Sequence, residues 1–254
     1  MYNGPNIPKD ELSLAIHFSS RRCTGGGPDS AFNFSWPIAI DVSKNKILFG
    51  NYGTANDLST EGKATVLEFN GSGYFESMGG KSGGSTSYNL VNAAGDFTLL
   101  MWIYAEDNTE RDTIFEKQGT IYASYQQELA VTLETNEAFS YYSRRFDNYD
   151  HAGTNTMTQN EFNLMGIKLS SGESTTARTG FHSKNGSAWS ANYNSRSDTA
   201  IVAAQNIRIG TGYAGPVENG KLGAIYCYNK MLSDQEVLQF YNATKGLFNE
   251  INIP

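Results

Sequence analysis

The chain is short of charge, of cysteine, of histidine and of long apolar runs, and each shortage removes a class of protein. Charged residues make up 18% of the 254 positions, against roughly 25% in ordinary globular chains. The net charge of −7 and a pI near 5.0 leave no basic surface for nucleic acid or an anionic membrane. The longest apolar run, FTLLMWIYA at residues 97–105, is far below the roughly 20 residues that cross a bilayer as a helix. The opening residues carry no basic region and no small-residue cleavage site, so no Sec-type leader is expected. Two cysteines, Cys23 and Cys227, are too few for a disulfide framework. They could pair if the first and last strands are neighbours, although a buried thiol at Cys227 is the favoured reading. His17, His151 and His182 stand in no metal-ligand spacing, so zinc is not expected. N-x-S/T matches at Asn33, Asn70, Asn185 and Asn242 carry little weight without a secretory route.

What is present is Gly, Ser, Thr, Asn and Tyr around short apolar segments, a mixture suited to turns and half-buried strands. LSLAIHF at 12–18 alternates as a first strand, whereas residues 19–62 offer turn signals with apolar patches at FNFSW and KILFGNY. ATVLEFNGSGYFES reads as a hairpin turning at Asn70-Gly71, and TGFHSKNGSAWSANYN as another at Asn185-Gly186. GDFTLLMWIYAE is apolar on both faces, the mark of a central strand covered on two sides. DTIFEK, the pair ELAVTL and AFSYYS, NEFNLMGIKL, NIRIG and KLGAIYCYN complete about a dozen strands. That spacing predicts an all-β, antiparallel two-sheet sandwich or jelly roll with no internal repeat.

The exception is NKMLSDQEVLQFYNATKGLF at 229–248, which predicts one short C-terminal helix. Ser233 and Glu236 form a capping box, with Leu232 and Val237 as a hydrophobic staple. Asp234 and Glu236 suit the positive end of the helix dipole and Lys245 the negative end, with Gly246 as the left-handed stop. Val237, Phe240, Tyr241 and Thr244 share a face that should lie on the edge or end of a sheet.

VLEFNGSGYFES, GDFTLLMWIYAED, DTIFEKQG, the KNGS hairpin and IRIGTGYAG…NGKLGAIYCYNKMLSDQEVLQFYNATKG together resemble the laminin-G-like branch of the concanavalin A-like lectin/glucanase superfamily. The ending is most similar to the versions found in virion proteins of tailed, particularly marine, phages. Residues 64–248 carry the resemblance, which divides the chain into an irregular portion at 1–63, part of the same domain or a docking arm, and a jelly roll at 64–254. The resemblance implies a non-catalytic virion structural protein displayed on the capsid or tail, of decoration or fibre type, with other virion proteins as partners. Its alternative is a lectin-like module that attaches to host or environmental polysaccharide, and its third reading is a glycoside hydrolase. A virion surface is the expected location, with neither nucleic acid nor membrane as partner and a homo-oligomer as an open alternative.

Enzyme spellings fail on context. Gly210, Gly212 and Gly215 spell G-x-G-x-x-G, but a dinucleotide site needs a helix to begin there, and Pro216 and a strand follow. GGKS at 79–82 lacks the first glycine of a phosphate loop and a following helix. GKSGG around Ser82 matches a nucleophile elbow by chance in a Gly/Ser-rich loop. In ERDTIFE, Glu110 and Asp112 would share a face while Glu116 comes one position late for the superfamily's acid triplet, which disfavours paired-carboxylate hydrolysis. No cofactor is expected. Calcium is common in laminin-G-like domains, but Gly223 and Ala224 replace an acidic ligand, leaving Asp41, Asp57 and backbone carbonyls as candidates. Trp189, Asn192 and Tyr193 put rings beside amides and are the candidate glycan-binding residues, with strand surface or a subunit interface as the plainer alternative. Phe32, Phe34 and Trp36 are the candidate docking residues, whereas Trp102 belongs to the core.

Overall fold

The computed structural model describes residues 7–18, 24–25, 35–43, 47–53, 57–61, 64–77, 96–104, 106, 110–118, 127–135, 138–145, 148–170, 179–194, 206–212 and 214–248. The strands in chain order are β1 (Leu12–His17), β2 (Thr24–Gly25), β3 (Ser35–Ile40), β4 (Leu48–Tyr52), β5 (Asp57–Glu61) and β6 (Ala64–Glu68). They continue with β7 (Tyr74–Ser77), β8 (Phe97–Tyr104), β9 (Asp112–Gln118), β10 (Gln127–Leu133), β11 (Ala138–Arg145) and β12 (Asn148–Thr156). The last are β13 (Phe162–Leu169), β14 (Thr179–Lys184), β15 (Ser190–Asn194), β16 (Ile207–Ile209) and β17 (Lys221–Tyr228), before helix α1 (Asp234–Phe248).

Among the described residues these form two sheets. The back sheet runs β15-β14-β13-β8-β17-β6-β5, with β1 also on β17, and the front sheet runs β12-β11-β10-β9-β16-β7-β4-β3-β2. The strand pairs are antiparallel throughout. Period-two alternation sends Leu99, Met101 and Ile103 of β8 and Met165 and Ile167 of β13 into the space between the sheets. There they meet Phe75, Phe115, Val131 and Ile209 of the front sheet. Each such side chain contributes about 1.5–3 kcal/mol by leaving water. The all-β sandwich read from the sequence is the architecture found.

β8 is buried on both faces because α1 forms a third layer behind the back sheet. Leu100 and Trp102 point toward the helix and pack with Val237, Phe240 and Phe248. The Trp102 indole donates to Thr244 Oγ1 at 2.9 Å and stacks on Phe248 with centroids 4.9 Å apart. Trp102 is thus core, but of the helix layer rather than of the sandwich. The capping box forms as read: the Glu236 amide donates to Ser233 Oγ at 3.2 Å, and Glu236 Oε2 accepts from the Ser233 amide at 2.9 Å. The helix lies across the face of the sheet, not on its edge.

Several local readings are corrected by long-range packing. Gly246 does not stop the helix, which continues to Phe248. Phe248 is fully buried beside Gly223, where a Cβ would stand 2.2 Å from its ring, and that seat holds the last turn in helical form. Asn70-Gly71 makes a tight turn, with Gly71 at φ 75, but no hairpin. β6 pairs with β17 and β5, while β7 pairs with β16 and β4. The amides of Phe69 and Gly71 donate to Gly220 and Val217 instead, so the turn carries the chain from one sheet to the other. Asn185-Gly186 is a true hairpin turn, with φ 51 and 74 and Ser187 N donating to Lys184 O at 3.0 Å.

Residues 12–61, read as largely irregular beyond the first strand, contain β1 to β5, and β12 adds a strand that the sequence pattern does not show. β1 pairs with β17 along Leu12–His17. Its other side is clasped by Asp41, whose carboxylate accepts from the amides of Ala15, Ser43 and Ile47 at 2.8, 2.8 and 3.2 Å and from Ser43 Oγ at 2.7 Å. Residues 64–248 therefore lack strands of both sheets. Cys227 is a free, buried thiol, held above its ordinary pKa chiefly by burial; Cys23 lies outside the described residues.

Candidate functional site

On the front sheet the same alternation that buries Phe49, Phe75, Ile207 and Ile209 turns their neighbours Tyr52, Tyr74, Glu76 and Arg208 to the outer face. Register then lines these up across three strands: Tyr52 stands opposite Tyr74, and Arg208 opposite Glu76. The tyrosine rings stack with centroids 5.6 Å apart at 17°. Arg208 lays its guanidinium 5.6 Å from the Tyr74 centroid. Arg208 Nε donates to Glu76 Oε2 at 2.8 Å, and Asn206 Nδ2 donates to Glu76 Oε1 at 2.5 Å. All five side chains are half-buried. Burial, then the Glu76 carboxylate, then Tyr74 push the Tyr52 hydroxyl pKa up, so it remains an un-ionised donor and acceptor. No described residue accepts a hydrogen bond from the Arg208 Nη groups, the bond to Glu76 running from Nε.

The row is bounded on one side by the turn carrying the three glycines. Gly210 and Gly215 take φ 89 and 109, and the chain proceeds to β17 instead of a helix, so no amides converge on a phosphate. Gly212 lies over β9, where a Cβ would stand 2.1 Å from the Glu116 carboxylate.

The hairpin residues read as a glycan site serve packing in part. The Trp189 ring covers Gly166, where a Cβ would be 2.9 Å from Cη2, and Lys168 Nζ sits 4.7 Å from the ring centroid. Lys168 donates to Leu232 O at 3.0 Å and Trp189 N to Asp234 Oδ1 at 2.9 Å. The indole N–H is buried without a partner among the described residues. Trp189 thus pins the hairpin to the helix N-terminus. The backbones of Asn192 and Tyr193 lie in β15, and their side chains fall outside the described residues, as do Phe32, Phe34 and the side chains of Trp36 and Asp57.

The acidic run forms no pair of opposed carboxylates. A bulge in β9 leaves Asp112 opposite Leu133 and Glu116 opposite Ala130. Those partners are three residues apart, so the two acids face opposite sides. Glu110 is exposed, whereas Asp112 is buried at the rim and accepts from Glu218 N at 3.2 Å. Its carboxyl is pushed up to about 6, by burial first and by Glu218 and Glu110 after it. Arg111 and Glu134, paired at 2.7 Å, line an open depression with Thr135 and Ala214. Among the described residues no three of His, Cys, Asp and Glu gather as a metal site, and Asp41 spends its carboxylate on N–H and O–H donors.

No protein-family model matches the chain, and no curated protein matches it. Solved structures match by fold. One is the binding domain of botulinum neurotoxin DC in complex with SialylT, with TM-score 0.62 and 13% identity, covering 92% of this chain and 52% of that one. The same toxin domain in complex with rat synaptotagmin II gives TM-score 0.61 and 11% identity, over 91% of this chain and 51% of that one. Trypanosoma rangeli sialidase in complex with the inhibitor DANA gives TM-score 0.64 and 14% identity, covering 96% of this chain and 34% of that one. The chain therefore spans about half the toxin domain and a third of the sialidase. At these identities the likeness is one of β-sandwich fold alone.

The sequence reading missed the Tyr52–Tyr74–Arg208 row. Its signal was present as alternation in LFGNY, YFES and IRI, but nothing local shows that these three strands are neighbours.

Proposed function

We propose that this chain is a non-catalytic, lectin-like module that binds saccharide on the outer face of the front sheet. The observation that carries the reading is the Tyr52–Tyr74–Arg208 row with Glu76 and Asn206. Ring faces and edges suit the C–H faces of sugars, and a mixed set of N–H donors and carboxylate or amide acceptors suits hydroxyl groups, which both donate and accept. The fold neighbours include a toxin binding domain solved with a SialylT ligand, which supports the reading without specifying the ligand. Asp112 and Glu116 facing opposite sides support a binding rather than a hydrolytic role. A glycan microarray tests it: bound signal is expected from the wild type and its loss from Tyr52→Ala and Tyr74→Ala. Loss in Trp189→Ala with retention in the tyrosine variants would move the site to the hairpin. Release of reducing sugar from a bound glycan would overturn the non-catalytic reading.

The similarity of residues 227–248 to phage virion proteins supports a second element, display on a virion surface. The partners there are other virion proteins, docked through the portion holding Phe32, Phe34 and Trp36, and cell-surface polysaccharide. Mass spectrometry of purified particles tests it, and absence of the chain would remove the virion setting while leaving the binding reading intact.

A further inference from the structure

We propose that the ligand of the front-sheet row is an uncharged saccharide presenting adjacent hydroxyl groups, and that the site rejects uronic, sialylated and sulfated sugars. The inference rests on the glycan-binding reading and adds the substrate class. Arg208 alone would suggest an acidic sugar, because a guanidinium fork with unengaged Nη groups matches a carboxylate. Its setting argues otherwise. Arg208 stands in register with Glu76 on β7 and Glu116 on β9; Glu76 pairs with it at 2.8 Å, whereas Glu116 is buried beneath Gly212. The Glu76 carboxylate thus already neutralises Arg208, on a chain of net charge −7. An anion entering the row would gain the Nη donors while facing the Glu76 carboxylate that already holds Arg208.

Hydroxyl groups carry no such penalty. The Arg208 Nη groups supply donors, Asn206 Oδ1 supplies an acceptor, and each Glu76 oxygen keeps a further lone pair after accepting from Asn206 and Arg208. Two hydroxyls on neighbouring carbons can bridge such donors and acceptors, with the sugar's C–H face against Tyr52. The specificity element is therefore Glu76, which cancels the charge of Arg208 while leaving its hydrogens in place.

Native affinity electrophoresis of the full chain tests this with laminarin, mannan and dextran as neutral polymers and alginate, hyaluronan and heparin as acidic ones. Retardation by at least one neutral polymer and by no acidic one is expected, with affinity changing less than about twofold from about 50 to about 500 mM NaCl. Glu76→Gln, checked for folding by its melting curve, should expose the Arg208 charge and raise affinity for an acidic polymer at least about fivefold. Wild-type retardation by acidic polymers, steeply weakened by salt, would overturn the inference alone, as would indifference of Glu76→Gln to every acidic polymer. Retardation by neither class would overturn the glycan-binding reading and this inference with it.

Discussion

The two outer faces of the sandwich carry comparable rows of aromatic side chains and meet opposite fates. On the back sheet Trp102, Tyr226 and Phe162 lie under α1 and are buried with Phe240 and Phe248. On the front sheet Tyr52 and Tyr74 stack on each other, Tyr74 also meets Arg208, and both rings remain half-buried. Strand alternation put rings on both faces. Among the described residues what differs is the cover: a helix with a matching apolar stripe behind one sheet, and charged groups beside the rings on the other. A ring under the helix holds the fold, and the front-sheet rings are where the proposed saccharide would bind.

The largest effect should come from breaking the covered face. Phe240 is fully buried and meets Tyr226 edge-on with centroids 4.8 Å apart. Phe240→Ala removes the ring and leaves a cavity, which should cost about 3–5 kcal/mol. Denaturant unfolding measures it, and a loss below about 1 kcal/mol would mean that the helix is not docked as described.

Acid should loosen the same face next. His17 on β1 is buried against Phe248, with centroids 5.5 Å apart, and neither ring nitrogen has a partner among the described residues. Burial lowers its pKa from 6.5 to about 4, so the folded chain favours the neutral ring. The resulting stability is fully present above pH 6.5 and is lost as the pH falls through about 4, a loss of about 3 kcal/mol when complete. His17→Leu should flatten this acid limb while leaving pH 7 stability equal or higher. Parallel curves for the two proteins between pH 7 and pH 4 would sink the argument; those pH values are about the ends of the titration.

The front sheet supplies a smaller effect of opposite sign. Asp112, raised from 3.8 to about 6 by burial and by Glu218 and Glu110, favours its protonated form when folded. Its contribution is full below about pH 3.8 and is lost as pH rises through 6. Asp112→Asn, which can still accept from Glu218 N, should therefore stabilise the chain at pH 7 by about 1–2 kcal/mol. The gain should vanish near pH 4, about where the native carboxyl is already protonated. Denaturation at the two pH values checks it, and equal gains at both would assign the effect to something other than charge.

Legibility followed the range of the interactions involved. Ser233 and Glu236 cap a helix by contacts three residues apart, and Asn185-Gly186 turns a hairpin by its own φ values, so both could be read locally. Asn70-Gly71 has the same dipeptide and turns just as tightly, yet its flanking strands pair elsewhere, which only residues 217–220 decide. Gly246 would end a free helix; the seat for Phe248 beside Gly223 lies more than twenty positions upstream. β5 and β12 are polar strands whose place is set by their partners rather than by their own pattern. The Tyr52–Tyr74–Arg208 row is the extreme case, because its members come from three separated segments and acquire meaning only through register. Trp189 illustrates the converse: its local setting among amides suggests a sugar platform, while its packing on Gly166 and its bond to Asp234, both distant in sequence, add a pinning role that no local pattern shows.

The smallest expected change in stability is the one that sharpens the comparison most. Tyr74→Ala performs on the uncovered face the operation that Phe240→Ala performs on the covered one, ring to methyl. The Tyr74 ring centroid lies 5.6 Å from that of Tyr52 and 5.6 Å from the Arg208 guanidinium carbon, and the residue is half-buried. Such cross-strand and cation–π contacts contribute about 0.5–1 kcal/mol each when exposed, and no cavity forms where water can enter. The melting temperature should therefore move only slightly, while glycan retention falls at least about tenfold, a loss equivalent to about 1.4 kcal/mol of binding. A small stability change with lost binding separates the two faces by role. If Tyr74→Ala destabilised the chain as much as Phe240→Ala, the front face would be covered after all, and a ring row under cover would have no ligand to meet.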